Sequence, residues 1–191
     1  MKTTMTAFDV NPQNGWLFPV IQRPSPHYDA RPHGVAINMV VIHGISLPPG
    51  EFGSPVIEHF FCGEYEKLTH PTLTKLKTMT VSAHLLIKRC GEVVQFVPFT
   101  QRAWHAGESF FAGEKCCNDF SVGIELEGTD IIPYTSLQYD HLSHVIKALM
   151  HHYPAITKDR IVGHSDIAPH RKTDPGPAFD WSYLREKLCV S

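Results

Sequence analysis

A nineteen-residue stretch, Gly163-His-Ser-Asp-Ile-Ala-Pro-His-Arg-Lys-Thr-Asp-Pro-Gly-Pro-Ala-Phe-Asp-Trp181, packs two His, an Arg, a Lys and three Asp into one proline-bounded loop. His164 and Asp174 stand ten residues apart in it, with Lys172 two before Asp174. His43 ends a run of apolar residues far upstream, and Glu125 interrupts a second apolar run. Two imidazoles and a carboxylate with an open fourth position are the donor set of a catalytic zinc site. A carboxyl in an apolar strand beside it could serve as acid or base. A nearby lysine could balance a developing oxyanion.

Each residue also has a plainer reading. His43 suits a hydrogen-bonded histidine at a strand end, and Asp174 suits an Asp-Pro turn. Lys172 suits a solvated surface, and Glu125 suits the wet face of an antiparallel sheet. With 13 histidines in the chain, many such triples can be drawn. Other chemistries lack a signature: there is no nucleophile elbow, no P-loop, no His-Glu-x-x-His helix and no zinc-finger spacing.

The elements that must position these groups follow from periodicity. Residues 35–43 are nearly all apolar and rich in β-branched side chains, as in a strand buried on both faces. Gly44 is where the chain should leave that strand. Ser54 and Pro55 suggest an N-cap and first helical residue ahead of Val56, Ile57, Phe60 and Phe61. Residues 62–80 show no clear period, and residues 82–97 read as a hairpin around Gly91. Residues 104–120 look like loop. In 121–128, Val122, Ile124 and Leu126 face one way while Gly123, Glu125 and Glu127 face the other. Residues 135–153 make the best helix, capped by Thr135 or Ser136 and stopped before Pro154. A short strand, 161–164, leads into the opening loop, and Asp180 caps a last helix. Five prolines between positions 12 and 32 mark residues 1–34 as an irregular arm. The expected whole is one domain over residues 1–191, α/β mixed, with a central mixed β-sheet flanked by helices.

Bulk properties narrow the classes. A 191-residue chain with 42% hydrophobic and 19% charged residues is an ordinary globular domain. Its formal charge of −2 carries no nucleic-acid or anionic-membrane footprint. No apolar run is long enough for a membrane span or a signal peptide. Five cysteines, an odd number without Cys-x-x-Cys, favour a reducing cytoplasm over a disulfide framework.

Six stretches together carry a family likeness. They are Pro24-Ser-Pro-His-Tyr-Asp29, Val41-Ile-His-Gly-Ile-Ser-Leu-Pro-Pro-Gly-Glu-Phe-Gly53, Val81-Ser-Ala-His84, Arg102-Ala-Trp-His-Ala-Gly107, Cys117-Asn-Asp-Phe-Ser-Val-Gly-Ile-Glu-Leu-Glu-Gly128 and Arg171-Lys-Thr-Asp-Pro-Gly-Pro-Ala-Phe-Asp-Trp181. From about Trp16 to the C-terminus the chain resembles the AmpD-type 1,6-anhydro-N-acetylmuramyl-L-alanine amidases. These are bacterial zinc amidases related in fold to peptidoglycan recognition proteins and phage lysozyme-type amidases. The resemblance implies one Zn2+ per chain on His43, His164 and Asp174, with Glu125 and Lys172 as catalytic pair. It implies cleavage of the amide between the muramyl lactyl group and L-alanine in small anhydro-muropeptides. The context would be cytoplasmic peptidoglycan recycling, with control of β-lactamase induction.

Trp104, His105, Ala106 and Gly107 suit a sugar platform, and His84 and His105 suit either a cleft wall or structural hydrogen bonds. Departures from the family pattern fall at Gly44, where relatives commonly carry Asn, and at Thr80 and Cys116, where they carry arginines. Lys115 is positioned in sequence to take over part of the peptide-carboxylate recognition. A monomer is expected. The competing readings are an amidase of the same fold acting on intact wall, a non-catalytic peptidoglycan-binding module, and a purely structural zinc.

Overall fold

The computed structural model describes residues 7–189. Its frame is a six-stranded mixed sheet, and the supposed arm is woven into it. Between its prolines, β1 (Asp9–Val10) pairs with β2 (Leu17–Phe18) as a ribbon. Strand β3 (Ile21–Gln22) forms one sheet edge, and β4 (Tyr28–Ala30) pairs with β8 (Gln101–Ala103). The prolines keep these strands to two or three residues, which is why they are hidden from a periodicity argument.

Strand β5 (Met39–Ile45) lies between β11 (Ser121–Glu127) and β12 (Ile161–Gly163), parallel to both. On the far side of β11 come β6 (Leu85–Ile87), parallel to it, and β7 (Val93–Gln95), antiparallel to β6 across the expected hairpin. The full order is β12-β5-β11-β6-β7-β3. Met39, Val40, Val41 and Ile42 are fully buried, as a strand covered on both faces must be. The strand does not stop at His43: it runs on through Gly44 to Ile45, opposite Glu127.

The alternation along β11 sorts the two faces. Val122, Ile124 and Leu126 meet Leu142, Val145, Ile146 and Leu149 of α2 (Ser136–His152), and Leu184 and Leu188 of α4 (Trp181–Cys189) complete that layer. Helix α2 starts as its sequence predicts. Thr135 Oγ1 accepts from the Gln138 amide (3.2 Å) and Gln138 Oε1 accepts from the Thr135 amide (3.0 Å), a capping box worth about 1 kcal/mol. On the opposite face Met39, Val41, Ala106, Cys117, Phe120, Val162 and Ile167 form a smaller core. Glu125 and Glu127, at 8% and 2% exposure, rule out a wet face there.

Helix α1 (Val56–Phe61) packs Ile57, Phe60 and Phe61 against β6 and β7. Its first residue lies one later than expected: Pro55 is the N-cap residue, and Ser54 Oγ instead donates to the Leu47 carbonyl (3.4 Å). The unassigned stretch after it contains two 3-10 turns, Tyr65–Lys67 and Pro71–Thr78. Within 104–120 a small ribbon, β9 (Phe110–Phe111) with β10 (Glu114–Lys115), interrupts the loop.

One side chain ties the N-terminal strands to the middle of the sheet. Arg31 donates from Nε to the Phe99 carbonyl (3.0 Å), from Nη1 to the carbonyls of Asn118 (3.1 Å) and Asp119 (2.9 Å), and from Nη2 to that of Ser121 (2.8 Å). Burial among these carbonyls draws the guanidinium down to about 10.

Candidate active site

Strand β12 ends at Gly163, and His164 opens a single helical turn, α3 (His164–Ile167), where the sequence suggested the last strand residue. Asp166 Oδ2 accepts from the Gly163 amide (2.7 Å), which fixes the start of that turn. The chain then loops back so that the Asp174 carbonyl accepts from the Ser165 amide (3.0 Å). Beyond the cis Asp174–Pro175 peptide, the Pro175 carbonyl accepts from Tyr134 Oη (2.9 Å) and the Ala178 amide donates to Asp130 (2.9 Å). Gly44 makes room for this clamp, since a Cβ there would lie 2.4 Å from Tyr134 Oη. Tyr134 and Asp130 carry no motif, and only their contacts in the fold reveal that they hold the loop.

Three donor atoms converge as a result. His43 Nδ1 lies 2.9 Å from His164 Nδ1 and 3.2 Å from Asp174 Oδ2, and His164 Nδ1 lies 3.1 Å from that oxygen. Among the described residues this is the one group of three or more His, Cys, Asp or Glu whose ligand atoms all lie within 4.8 Å of one another. His43 and His164 are 2% and 3% exposed, and Asp174 is 16% exposed at its side chain. Burial, with His164 beside it, brings His43 down to about 4 against the pull of Asp174. A neutral imidazole with a free lone pair is what a metal requires. Burial works to raise Asp174, but the two imidazoles beside it outweigh that and hold the carboxylate far below its usual range. The donor set therefore fits a divalent metal of the zinc type.

Glu125 is the register partner of His43 across the parallel ladder. Its Oε2 is buried without a hydrogen-bond partner in the protein. Burial first, then the charge of Asp174, raises its carboxyl well above the ordinary value, with Lys172 opposing. These five residues share a cleft of about 210 Å3, walled by Phe60, Leu76, Met79, Trp104 and His105 among others. A larger groove of about 700 Å3, between the starts of α2 and α4, holds none of the five.

The other singled-out residues separate. Trp104 lines the cleft, stacks on His27 (6.2 Å, 24°) and donates from Nε1 to Asp29 (3.1 Å). His105 stands behind His43, with Nδ1 2.9 Å from His43 Nε2. Burial, then the neighbouring histidines and Arg31, lowers it well below the ordinary value, so it is neutral. The Ala106 carbonyl faces His164 Nε2 (3.2 Å) and accepts from Arg171 (2.6 Å). Gly107 has φ +58 and leaves space for the Arg171 guanidinium. Lys115 and Cys116 are not in the cleft; they line a separate groove of about 410 Å3 with Phe110, His170 and Arg171. His84 is buried, and its Nδ1 accepts from the Gly123 amide (3.0 Å).

A mixed sheet carrying an open His-His-Asp cluster beside a raised carboxyl is the frame of a metal-dependent hydrolase. Residues 33–177 match the N-acetylmuramoyl-L-alanine amidase family. The 1,6-anhydro-N-acetylmuramyl-L-alanine amidase AmpD of Enterobacter cloacae is 54% identical over 179 residues, 94% of this chain and 95% of that one. A crystal structure of an AmpD selenomethionine derivative superposes with a TM-score of 0.89 at 51% identity, covering 94% of this chain and 98% of that one. The Escherichia coli amidase AmiD, solved with anhydro-N-acetylmuramic acid-L-Ala-D-gamma-Glu-L-Lys, superposes with a TM-score of 0.59 at 27% identity, covering 95% and 65%. The chain thus belongs to the N-acetylmuramoyl-L-alanine amidase family, and within it to the AmpD type. Among the described residues no helix is long and apolar enough to cross a membrane.

Proposed function

We propose that this amidase hydrolyses the amide between the lactyl group of 1,6-anhydro-N-acetylmuramic acid and L-alanine in small cytoplasmic muropeptides. One Zn2+ would be held by His43 Nδ1, His164 Nδ1 and Asp174 Oδ2. The carrying observation is the convergence of those three atoms beside the unpartnered Glu125 Oε2. Bound there, zinc would supply Lewis acidity, polarising a carbonyl and lowering the pKa of water to about 7. Glu125 Oε2 takes the proton of the attacking water and returns it to the alanine nitrogen as the C–N bond breaks. Lys172 offsets negative charge on the former carbonyl oxygen. Trp104, fixed by Asp29, offers its ring to the sugar. His105 and Ala106 serve the ligands from behind, Gly107 seats the Arg171 guanidinium, and Lys115 lines the groove beyond them.

The cellular role would be peptidoglycan recycling with control of β-lactamase induction, carried out by a single-domain monomer spanning residues 1–191. Such a protein needs neither nucleic acid nor a membrane as partner. A purely structural zinc would be closed off by a fourth protein ligand, whereas this cluster opens onto a cleft. The test compares soluble anhydro-muropeptides with intact sacculi as substrates, alongside zinc content. Release of peptide from the former with about one zinc per chain is expected. Preference for sacculi would sink the recycling role, and absence of both zinc and turnover would sink the enzyme.

A further inference from the structure

We infer that Ser121, a hydroxyl touching neither the metal position nor the cleft, determines which nitrogen of His43 is free for a metal, acting through His105. The inference rests on the metal reading above. Ser121 Oγ lies 2.6 Å from the Cys117 carbonyl oxygen. A carbonyl only accepts, so the single hydroxyl proton points there. Toward His105 Nε2, at 3.1 Å, the same oxygen can then only accept, and Nε2 carries the proton. With the ring's proton on Nε2, Nδ1 of His105 is the acceptor atom. That atom is 2.9 Å from His43 Nε2, so His43 donates from Nε2. His43 Nδ1 is therefore bare, and it is the atom 2.9 Å from His164 Nδ1 and 3.2 Å from Asp174 Oδ2. His164 reaches the same state by a shorter route, with Nε2 facing the Ala106 carbonyl at 3.2 Å. Three lone pairs then meet with no proton among them, the deprotonated state in which such ligands take a divalent cation.

The relay is built so that its polarity cannot drift. Ser121 is fully buried at the start of β11, opposite Met39, and its own carbonyl receives Arg31. His105 lies flat against β11 because Gly123 has no side chain: a Cβ there would fall 2.3 Å from His105 Cγ. The His105 amide is held by Asn118 Oδ1 (3.1 Å). Without the Ser121 hydroxyl, nothing in this chain of contacts selects Nε2–H over Nδ1–H on His105. The reversed tautomer would make His43 accept at Nε2 and carry a proton on Nδ1, where the metal must sit.

The test uses the full-length protein with 15N-labelled histidine, before and after zinc is added. Long-range 1H–15N spectra of the metal-free protein are expected to show His43 protonated on Nε2 and bare on Nδ1. Ser121→Ala should give mixed His43 tautomers and bind zinc about 10- to 100-fold more weakly in competition with a chromophoric chelator. His105→Asn keeps an acceptor facing His43 and should retain more affinity than His105→Phe. A merely structural role for Ser121 would leave the tautomer signature of the folded variant unchanged. A proton on His43 Nδ1 in the wild type, or wild-type tautomers and affinity in Ser121→Ala, overturns the inference. If the wild type takes up no zinc, the metal reading fails, and the metal-free spectra still decide the relay.

Discussion

Glu125 lies directly across the parallel β5–β11 ladder from His43, so a carboxyl and an imidazole leave one face of the sheet a single strand spacing apart, about 4.8 Å. Backbone pairing, not loop placement, sets their separation. Glu125→Gln should therefore leave the ligand triad standing and retain zinc, while turnover of anhydro-muropeptide falls about 10²- to 10⁴-fold. Asp174→Ala should instead lose or weaken zinc. Metal analysis run beside peptide-release assays separates the two, and normal turnover in both would refute the assignment.

Chelation should abolish hydrolysis, and restored zinc should return it. Binding only to the folded state also raises stability, by about 2.7 kcal/mol at a free zinc concentration one hundred times Kd. Thermal unfolding with and without zinc measures this. An unchanged midpoint would contradict a metal held by the folded His43–His164–Asp174 cluster.

Gly123→Ala is a severe test of the packing behind the site. The new methyl group would lie 2.3 Å from His105 Cγ, on a fully buried strand. Overpacking of this kind costs roughly 1–3 kcal/mol. Denaturant unfolding should register that loss, and zinc affinity should fall with it because His105 backs His43.

Asp29 gives a pH signature. Hydrogen bonds from Arg102 (2.7 and 2.5 Å) hold its carboxyl below the ordinary value of 3.8, against partial burial and with help from Trp104. A carboxylate depressed in the folded state contributes stability above its unfolded pKa and loses it as pH falls through the folded one. The Asp29 side chain is 42% exposed, so solvent screens the pair and its worth is about 1 kcal/mol or less. Asp29→Asn should lower the unfolding midpoint slightly at neutral pH, and the gap should close below pH 3.8. Asp29→Ala, which also removes the acceptor of Trp104 Nε1, should raise KM more than it lowers kcat.

What could be read in advance follows from the range of each interaction. Helix α2 and strand β11 announce themselves through their own periods, and the Thr135–Gln138 box spans three positions. The site residues were visible as types, but pattern alone could not choose His43 and His164 from 13 histidines; the long motifs did that. Tyr134 was silent because its partner Pro175 lies 41 positions on, and Arg31 because Ser121 lies 90 positions on. Sequence adjacency groups His105 with Trp104 as a sugar platform, because it does not reveal that Gly123 draws the His105 ring against β11. The N-terminal strands escaped because each is too short to show a period.

Arg31 and the edge strand β3 fall outside residues 33–177, the stretch that matches the family. So does α4, whose Leu184 and Leu188 close the layer over α2. A fragment cut to residues 33–177 would leave the carbonyls of Phe99, Asn118, Asp119 and Ser121 without their shared donor. The stretch common to the whole family is thus narrower than the set of contacts that holds its sheet together, and a minimal amidase has to keep Arg31 and α4 as well.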